Sequence, residues 1–183
     1  MNHYIDITIK PDSEMRINLL LNKVFTNLHR LLSRINSTQI GLSFPRYTVT
    51  LGDVIRIHGT KESLNEIQGR DWIGGLLRYC HITNVLTVPT PTRYRTVSRK
   101  QANMSHAKLH RLLARGTIGP DQVQAYKAKM FQNGLSNPFL ELESASNGHR
   151  HRRYLSFGEI TDHPTLGTFD QFGLSKHGSI PWF

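Results

Sequence analysis

The period of the hydrophobic residues changes near the N-terminus, and this change constrains the fold more than any other feature. Residues 3–9 alternate, with three isoleucines on one side of the chain, which is typical of a half-buried strand. Pro11-Asp12-Ser13 ends this pattern and offers a helix start. Over residues 15–35 the period becomes 3.6, which predicts an amphipathic helix. Its apolar stripe consists of Ile17, Leu21, Val24, Leu28, Leu31 and Ile35.

Four further segments complete the first half of the chain. They are the strand-like residues 39–44, 54–58 and 80–88 and the weakly helical residues 63–77. The order strand-helix-strand-strand-helix-strand is that of a ferredoxin-like α+β fold. Because the stiff Pro89-Thr90-Pro91 segment follows, we place a first domain at residues 1–92 and a second, smaller one at 93–183.

The second domain is predicted to contain a basic helix. Ser105 can cap a helix that runs to about Arg115, and Gly116 can end it. On this helix Lys108, Arg111 and Arg115 are spaced so that they share one face.

A second helix and a hairpin are predicted to follow. The helix opens at Gly119-Pro120-Asp121 and runs to about residue 131. Residues 139–144 and 152–157 have the pattern of hairpin arms, with Asn147-Gly148 near the turn. The second domain is therefore also expected to be α+β.

The charge favours a polyanionic partner. The 183 residues include 23 Lys and Arg against 13 Asp and Glu, a net charge of +10. No acidic residue occurs between Asp71 and Asp121, and a second basic cluster follows at residues 149–153. Separated basic patches of this kind are typical of phosphate-binding surfaces, with nucleic acid first and an anionic membrane second. The alternative is that the charge serves solubility alone.

Several classes of protein are excluded or disfavoured. No run approaches the about 20 apolar residues of a membrane span, and the start lacks the features of a signal peptide. Cys80 is the only cysteine, so neither a disulfide nor a cysteine-based metal cluster can form within one chain. We therefore expect a cytoplasmic protein without membrane contact. Nucleotide-binding and hydrolase motifs are missing as well.

His29 is the first candidate for chemistry. It lies at the margin of the apolar stripe beside Leu28, where an imidazole could be partly buried and still exchange a proton in a cleft. The alternative is an ordinary residue at an amphipathic boundary, which position alone favours.

Metal ligands are weakly represented. His149 and His151 are two apart and Asp162-His163 is a further pair, but no HExxH, CxxC or carboxylate cluster exists. Two-metal nucleases need several acidic ligands together. We therefore expect no metal and no cofactor, and metal-free cleavage if the chain cuts nucleic acid. RNA permits this, because its 2′-OH can attack the neighbouring phosphate.

The sequence resembles a known family along its full length, in order. The C-terminal residues Gly173-Leu174-Ser175-Lys176 and Pro181-Trp182-Phe183 match the closing motif of the type I-F CRISPR precursor-RNA-processing endoribonucleases. The other matching segments are His3-Tyr4-Ile5-Asp6-Ile7, Leu28-His29, Ile40-Gly41-Leu42-Ser43-Phe44-Pro45, Arg56-Ile57-His58, Pro89-Thr90-Pro91, Tyr94-Arg95, Val97-Ser98-Arg99 and Gln101-Ala102.

The resemblance implies an enzyme that binds the hairpin of a CRISPR repeat and cuts at the 3′ base of its stem without a metal. The products would be 2′,3′-cyclic phosphate and 5′-OH ends. It further implies that the protein stays on the mature guide RNA as a subunit of an interference complex. Its partners would then be this RNA and the other protein subunits.

The same resemblance assigns roles to individual residues. His29 falls on the catalytic histidine and Ser144 on the serine that positions the 2′-OH. Arg99 and Gln101 fall on the pair that reads purine edges near the stem end, a chemistry that suits both side chains. The expected phosphate contacts are Lys108, Arg111, Arg115, Arg150, Arg152 and Arg153. The residues expected near the cleavage site are Ser146, His151, Phe172 and Lys176.

The chain departs from the family pattern at four places. Phe172 stands where the family can carry a tyrosine, and His151 matches an aromatic residue that stacks on a base. Leu112 and Gly116 interrupt the basic helix, and Arg93 adds a charge beside Tyr94. Two alternatives to the endoribonuclease remain: a catalytically inactive hairpin-binding subunit, and a basic module that binds nucleic acid through charge alone. Whether His29 acts as base or acid stays open.

Overall fold

The computed structural model describes residues 1–101, 104–132, 136–143, 148 and 150–183, without the side chains of residues 131 and 132. The protein is a mixed α+β structure in which the paired strands run antiparallel. No helix within these ranges is both long and apolar enough to cross a membrane.

A sheet of five strands occupies the first half of the chain. Its elements are β1 (His3–Ile9), α1 (Ile17–Arg34), β2 (Gly41–Ser43), β3 (Val54–Gly59), α2 (Lys61–Gln68), a 3-10 helix (Gly74–Tyr79), β4 (Cys80–Ile82) and β5 (Leu86–Thr87). The strand order is β2-β3-β1-β4, and β5 also pairs with β1. In the register of β1 and β3, Ile5 lies opposite Ile57 and Ile7 opposite Ile55. All four side chains are buried, so the alternation seen in the sequence supplies the core face.

α1 covers this sheet with the predicted stripe, but it begins later than predicted. Asp12 accepts hydrogen bonds from the backbone N–H groups of Glu14 and Met15 at 2.9 Å, which forms a turn before the helix. The helix itself starts at Ile17, and Arg16 at its N-cap provides no side-chain cap. Aspartate at such a turn competes with helix initiation because its carboxylate satisfies the same N–H groups.

The second half adds two small sheets and two helices. Its elements are β6 (Arg93–Arg95), β7 (Val97–Lys100), α3 (His106–Ala114), a 3-10 helix (Pro120–Gln122), α4 (Val123–Gln132), β8 (Phe139–Glu143), β9 (Arg150–Phe157) and β10 (Ile180–Trp182). One sheet has the order β7-β9-β8, and in the other β10 pairs with β6. Ser105 caps α3 by accepting from the N–H of Lys108, as predicted. Gly116 follows α3 with a φ of +67°, which fits its predicted role as the stop.

One buried cluster joins the two halves. Leu140 and Leu155 from the three-stranded sheet belong to the same cluster as the isoleucines of β1. The C-terminal segment also contributes, through Phe169, Leu174 and Ile180. The domain boundary at residue 92 stays a prediction, but both halves pack on a common core.

The structure corrects the sequence prediction at several short elements. The predicted helix over 63–77 is two helices, α2 and a 3-10 helix, separated by a break that begins at Gly69. The predicted strand over 80–88 is two strands, β4 and β5. The sequence did not indicate β6, β7 and β10, because strands of three or four residues carry too little alternation to detect.

Candidate active site

α1 presents His29 to the C-terminal segment. The side chain is half-buried, next to the fully buried Leu28. Its Nδ1 lies 2.9 Å from the carbonyl oxygen of Gln171. A carbonyl oxygen can only accept, so Nδ1 carries the proton and donates it. In the neutral ring, Nε2 is therefore the nitrogen that can take up a proton.

A tight turn at residues 170–173 holds the residues that contact His29. One carboxylate oxygen of Asp170 accepts from the backbone N–H groups of Phe172 and Leu174, each at 2.9 Å. Gly173 has a φ of +67°, and a Cβ there would lie 2.4 Å from Cγ of Leu42. Only glycine fits both the turn and this close approach to β2. The turn thus fixes the backbone that carries Phe172.

The ring of Phe172 lies between an imidazole and a guanidinium. The rings of His29 and Phe172 are parallel to within 13°, with centroids 3.7 Å apart. Cζ of Arg153 lies over the same phenyl ring at 3.5 Å from its centroid. Two groups at these distances would collide on one face, so they occupy opposite faces. We call this arrangement of His29, Phe172 and Arg153 the three-layer stack.

The structure separates three arginines that the sequence treats alike. Arg150 and Arg152 are exposed, and Arg152 lies over the ring of Phe139 with Glu141 at 3.7 Å. Arg153 is only 9% exposed. Burial lowers the pKa of Arg153, as does the nearby guanidinium of Arg99, whereas the carboxylate of Asp170 raises it. Arg150 and Arg152 are accessible to a phosphate, but Arg153 belongs to the interior side of the site.

A polar cleft of about 740 Å³ adjoins the stack. Its lining includes Arg99, Gln101, Arg153, Phe172, Lys176 and His177. The structure therefore brings together five residues that the sequence assigned to base readout, phosphate contact or the cleavage site. His177 was not predicted, and its position directly after Lys176 in the closing motif was the available signal.

The remaining predicted residues lie elsewhere or cannot be placed. Lys108, Arg111 and Arg115 are exposed along and just after α3, and none of them lines the cleft. His151 is exposed near the start of β9. Ser144 and Ser146 fall outside the described residues.

Arg95, although part of the acid-free segment, has a structural position. Its Nε and Nη2 donate to the carbonyl oxygen of Gly158 at 3.0 and 2.7 Å, and Nη1 donates to the hydroxyl of Tyr47. Cζ lies 4.6 Å from the ring centroid of Trp182. Its guanidinium therefore ties β6 to the C-terminal strand. In the described part of the chain, no group of three or more His, Cys, Asp or Glu is placed to hold a metal ion.

The sequence is similar to known CRISPR-associated proteins along the whole chain. The sequence model of the family described as CRISPR-associated protein (Cas_Csy4) matches residues 4–183. Two curated relatives, both named CRISPR-associated endonuclease Cas6/Csy4, align over 100% of either chain. The relative from Escherichia coli strain UTI89 is 32% identical over 184 residues, and the relative from Pseudomonas aeruginosa strain UCBPP-PA14 is 33% identical over 187 residues.

A solved structure shows a more distant likeness. It is titled as CRISPR endoribonuclease Cse3 bound to a 19 nt RNA, and the match covers 99% of this chain and 100% of that one. The sequence identity is 14% and the TM-score is 0.41.

Proposed function

The chain belongs to the Cas_Csy4 family of CRISPR-associated proteins, and from this membership we propose that it is an endoribonuclease that cuts CRISPR precursor RNA. The cut lies at the 3′ base of the repeat stem-loop and needs no metal ion. The observation that carries this proposal is His29, with its Nδ1 proton engaged by a backbone carbonyl and its ring stacked on Phe172, which lines a cleft together with several cations. The names of the two full-length relatives also support an endonuclease.

The proposed reaction is an internal transesterification. The ribose 2′-oxygen attacks the adjacent phosphorus, and the bond from phosphorus to the 5′-oxygen breaks. The proton of the 2′-OH moves to Nε2 of His29, and the leaving 5′-oxygen takes up a proton from water. The products are a 2′,3′-cyclic phosphate and a 5′-OH. Ser144 is proposed to align the 2′-OH, and Lys176 to stabilise the charge that develops on the phosphorane.

Two groups of side chains are proposed to divide RNA recognition. Arg99 and Gln101, at the cleft, read base edges at the foot of the stem. Lys108, Arg111 and Arg115, exposed along and just after α3, contact stem phosphates together with Arg150 and Arg152. His151 and Ser146 are proposed to lie close to the nucleotides at the cut.

The proposal extends to the organisation of the protein. Residues 1–92 form a ferredoxin-like domain with the catalytic histidine, which the strand order β2-β3-β1-β4 supports. Residues 93–183 form the RNA-binding domain. The protein acts in the cytoplasm and remains on the mature guide RNA as a subunit of an interference complex.

Incubation with a panel of CRISPR repeat hairpins in EDTA tests this function. We expect one cut at the base of a cognate stem, with cyclic phosphate ends. We expect no cut when the nucleotide on the 5′ side of the scissile phosphate is replaced by its 2′-deoxy form. His29→Ala should slow single-turnover cleavage by about 10²–10⁴-fold and leave hairpin affinity nearly unchanged. The exposed His81 provides a matched control, and His81→Ala should cleave normally.

Four results would contradict parts of the proposal. Cleavage of the deoxy substrate would exclude transesterification and the role of Ser144. Wild-type cleavage by His29→Ala would remove the histidine from the mechanism. Tight, hairpin-specific binding without any cut would instead support an inactive hairpin-binding subunit, and sequence-independent binding would leave a basic module.

A further inference from the structure

Arg153 occupies an unusual place for a cation. It lies on β9 opposite Leu140, and two residues from Leu155 on the same face of the sheet. Both leucines are fully buried, so the guanidinium extends from the apolar side of the sheet. Its Nε is buried and has no hydrogen-bond partner among the described residues. A buried cation is unfavourable unless specific contacts compensate for its lost hydration.

The strongest compensating contact is the phenyl ring of Phe172. The guanidinium lies 3.5 Å from the ring centroid, within the range where a cation is attracted to an aromatic face. The carboxylate of Asp170 stabilises the charged guanidinium of Arg153 at longer range, whereas the positive charge of Arg99 destabilises it. Arg153 therefore packs against the ring of Phe172 from the side of the three-stranded sheet.

Phe172 transmits this contact to the catalytic histidine. Its ring is parallel to the imidazole of His29, which in turn is held at Nδ1 by Gln171 of the same turn. The hydrogen bond fixes one atom of the imidazole, but rotation about that contact remains possible. A flat ring packed against the imidazole face removes this rotation only if the ring itself cannot move away. Arg153, on the far side of the phenyl ring, blocks that movement.

We propose that Arg153 is a positioning residue for cleavage, which acts through Phe172 to hold the imidazole of His29 in place. It is distinct from the phosphate contacts on its own strand, Arg150 and Arg152. This inference rests on the proposed function and deepens it, because it assigns a role to the phenylalanine that stands in place of a family tyrosine.

A double-mutant cycle on cleavage tests whether Arg153 acts through the ring. Arg153→Leu should lower the single-turnover rate at saturating protein about tenfold, since small displacements of a catalytic group have effects of this order. Its affinity for a 2′-deoxy hairpin should change less than about threefold. Phe172→Leu should slow cleavage similarly, and the double variant should be no slower than Phe172→Leu alone. Arg153→Lys should restore part of the rate, because an ammonium can also lie over the ring.

Arg70→Leu is the matched control. Arg70 is an exposed arginine paired with Glu66 on α2, so this variant removes the same charge away from the cleft and should cleave normally. If Arg153→Leu binds RNA more weakly but cuts at the wild-type rate when saturated, Arg153 is a phosphate contact and the proposal is wrong. Independent, multiplying losses in the double variant would contradict it equally. If Arg153→Leu fails to fold, Arg153→Met is used instead, because methionine keeps the unbranched shape of the arginine stem and lacks its charge.

Nuclear magnetic resonance of the RNA-free protein separates this inference from the proposed function. The ring protons of His29, assigned by their loss in His29→Gln, should be shifted upfield by the stacked phenyl ring. Phe172→Leu should remove that shift, and Arg153→Leu should move the signals toward the same position. An unchanged His29 spectrum in Arg153→Leu would overturn the positioning role even if the wild-type protein cuts RNA. A wild-type protein that does not cut would overturn the proposed function while this measurement still decides the role of Arg153.

Discussion

Two arginines with the same exposure, 9%, occupy opposite situations in this protein. Arg56 on β3 is fully engaged. Its Nε and Nη2 donate to the two carboxylate oxygens of Asp6 at 2.7 and 2.8 Å, and Nη1 donates to the carbonyl oxygen of Phe183 at 2.9 Å. Its guanidinium also lies over the rings of Tyr4 and Phe183. Arg56 thus joins β1, β3 and the C-terminus.

Arg153 is equally buried but has far fewer compensating contacts. It has one aromatic ring, an unpartnered Nε within the described structure, and a second arginine close enough to lower its pKa. The difference teaches that burial alone does not reveal what a cation does. A satisfied arginine stabilises the scaffold, whereas a poorly satisfied one beside a cleft marks a place where stability has yielded to function.

The largest predicted effect is a dependence of the free energy of unfolding on pH, and it arises from a histidine beside Arg56. His58 is fully buried and its pKa is lowered to about 3 by burial, then by Arg56 and the N-terminal amino group. Below pH 6.5 the unfolded chain therefore binds a proton that the folded chain refuses until about pH 3. Stability should fall by about 5 kcal/mol across this window and be fully present above it.

The measurement for His58 is urea unfolding at a series of pH values, compared with His58→Gln. Nε2 of His58 lies 2.8 Å from the hydroxyl of Ser43, and a glutamine amide can keep a hydrogen bond there. The variant should lose much less stability than the wild type between pH 7 and pH 4. Parallel pH profiles would show that His58 is not the group that couples folding of this region to pH.

The next effect compares the two arginines directly. Asp6→Asn leaves Arg56 buried without its carboxylate, and should lower the unfolding free energy by about 3 kcal/mol at pH 7.5. Arg153→Leu removes a cation with no close acid and places an apolar side chain against Leu140 and Leu155, so we expect a change of less than about 1 kcal/mol. Urea unfolding of both variants decides the matter. If Arg153→Leu is as unstable as Asp6→Asn, the two arginines serve the same structural purpose.

Much of the scaffold around Arg56 could be predicted from the sequence. The alternation in β1 and the stripe on α1 are long enough to reveal their period, and both elements are found. The break after α2 is not predicted, because glycines within a helical pattern lower helix propensity without marking where the helix ends. At Gly74 the φ of +55° does not continue a helix, so a new 3-10 turn starts there.

The three-layer stack could not be predicted in the same way. His29, Arg153 and Phe172 come from three distant segments, and only the fold brings them together. The sequence indicates His29 by its place at the edge of a stripe and Phe172 by the closing motif. Nothing in the run Arg150-His151-Arg152-Arg153 indicates which arginine is buried, because the whole run lies in β9 and pairing with β8 decides which side chains face inward.

The smallest predicted effect is a change in hairpin affinity, and it concerns Arg99, the second arginine beside Arg153. Arg99 is exposed at the cleft, near enough to Arg153 to lower its pKa, so two cations share a space with little acid. If Arg99 reads a base edge, Arg99→Ala should cost about 2 kcal/mol for the cognate hairpin and much less for a hairpin changed at that one position. Lys108→Ala, on α3, should instead weaken both hairpins alike and reduce the dependence of affinity on salt. Binding of both variants to both hairpins over a salt series makes the comparison.

An equal loss of affinity for both hairpins in Arg99→Ala, with a reduced salt dependence, would make Arg99 a phosphate contact. The cleft that Arg99 lines would then bind phosphate without reading a base edge through this residue.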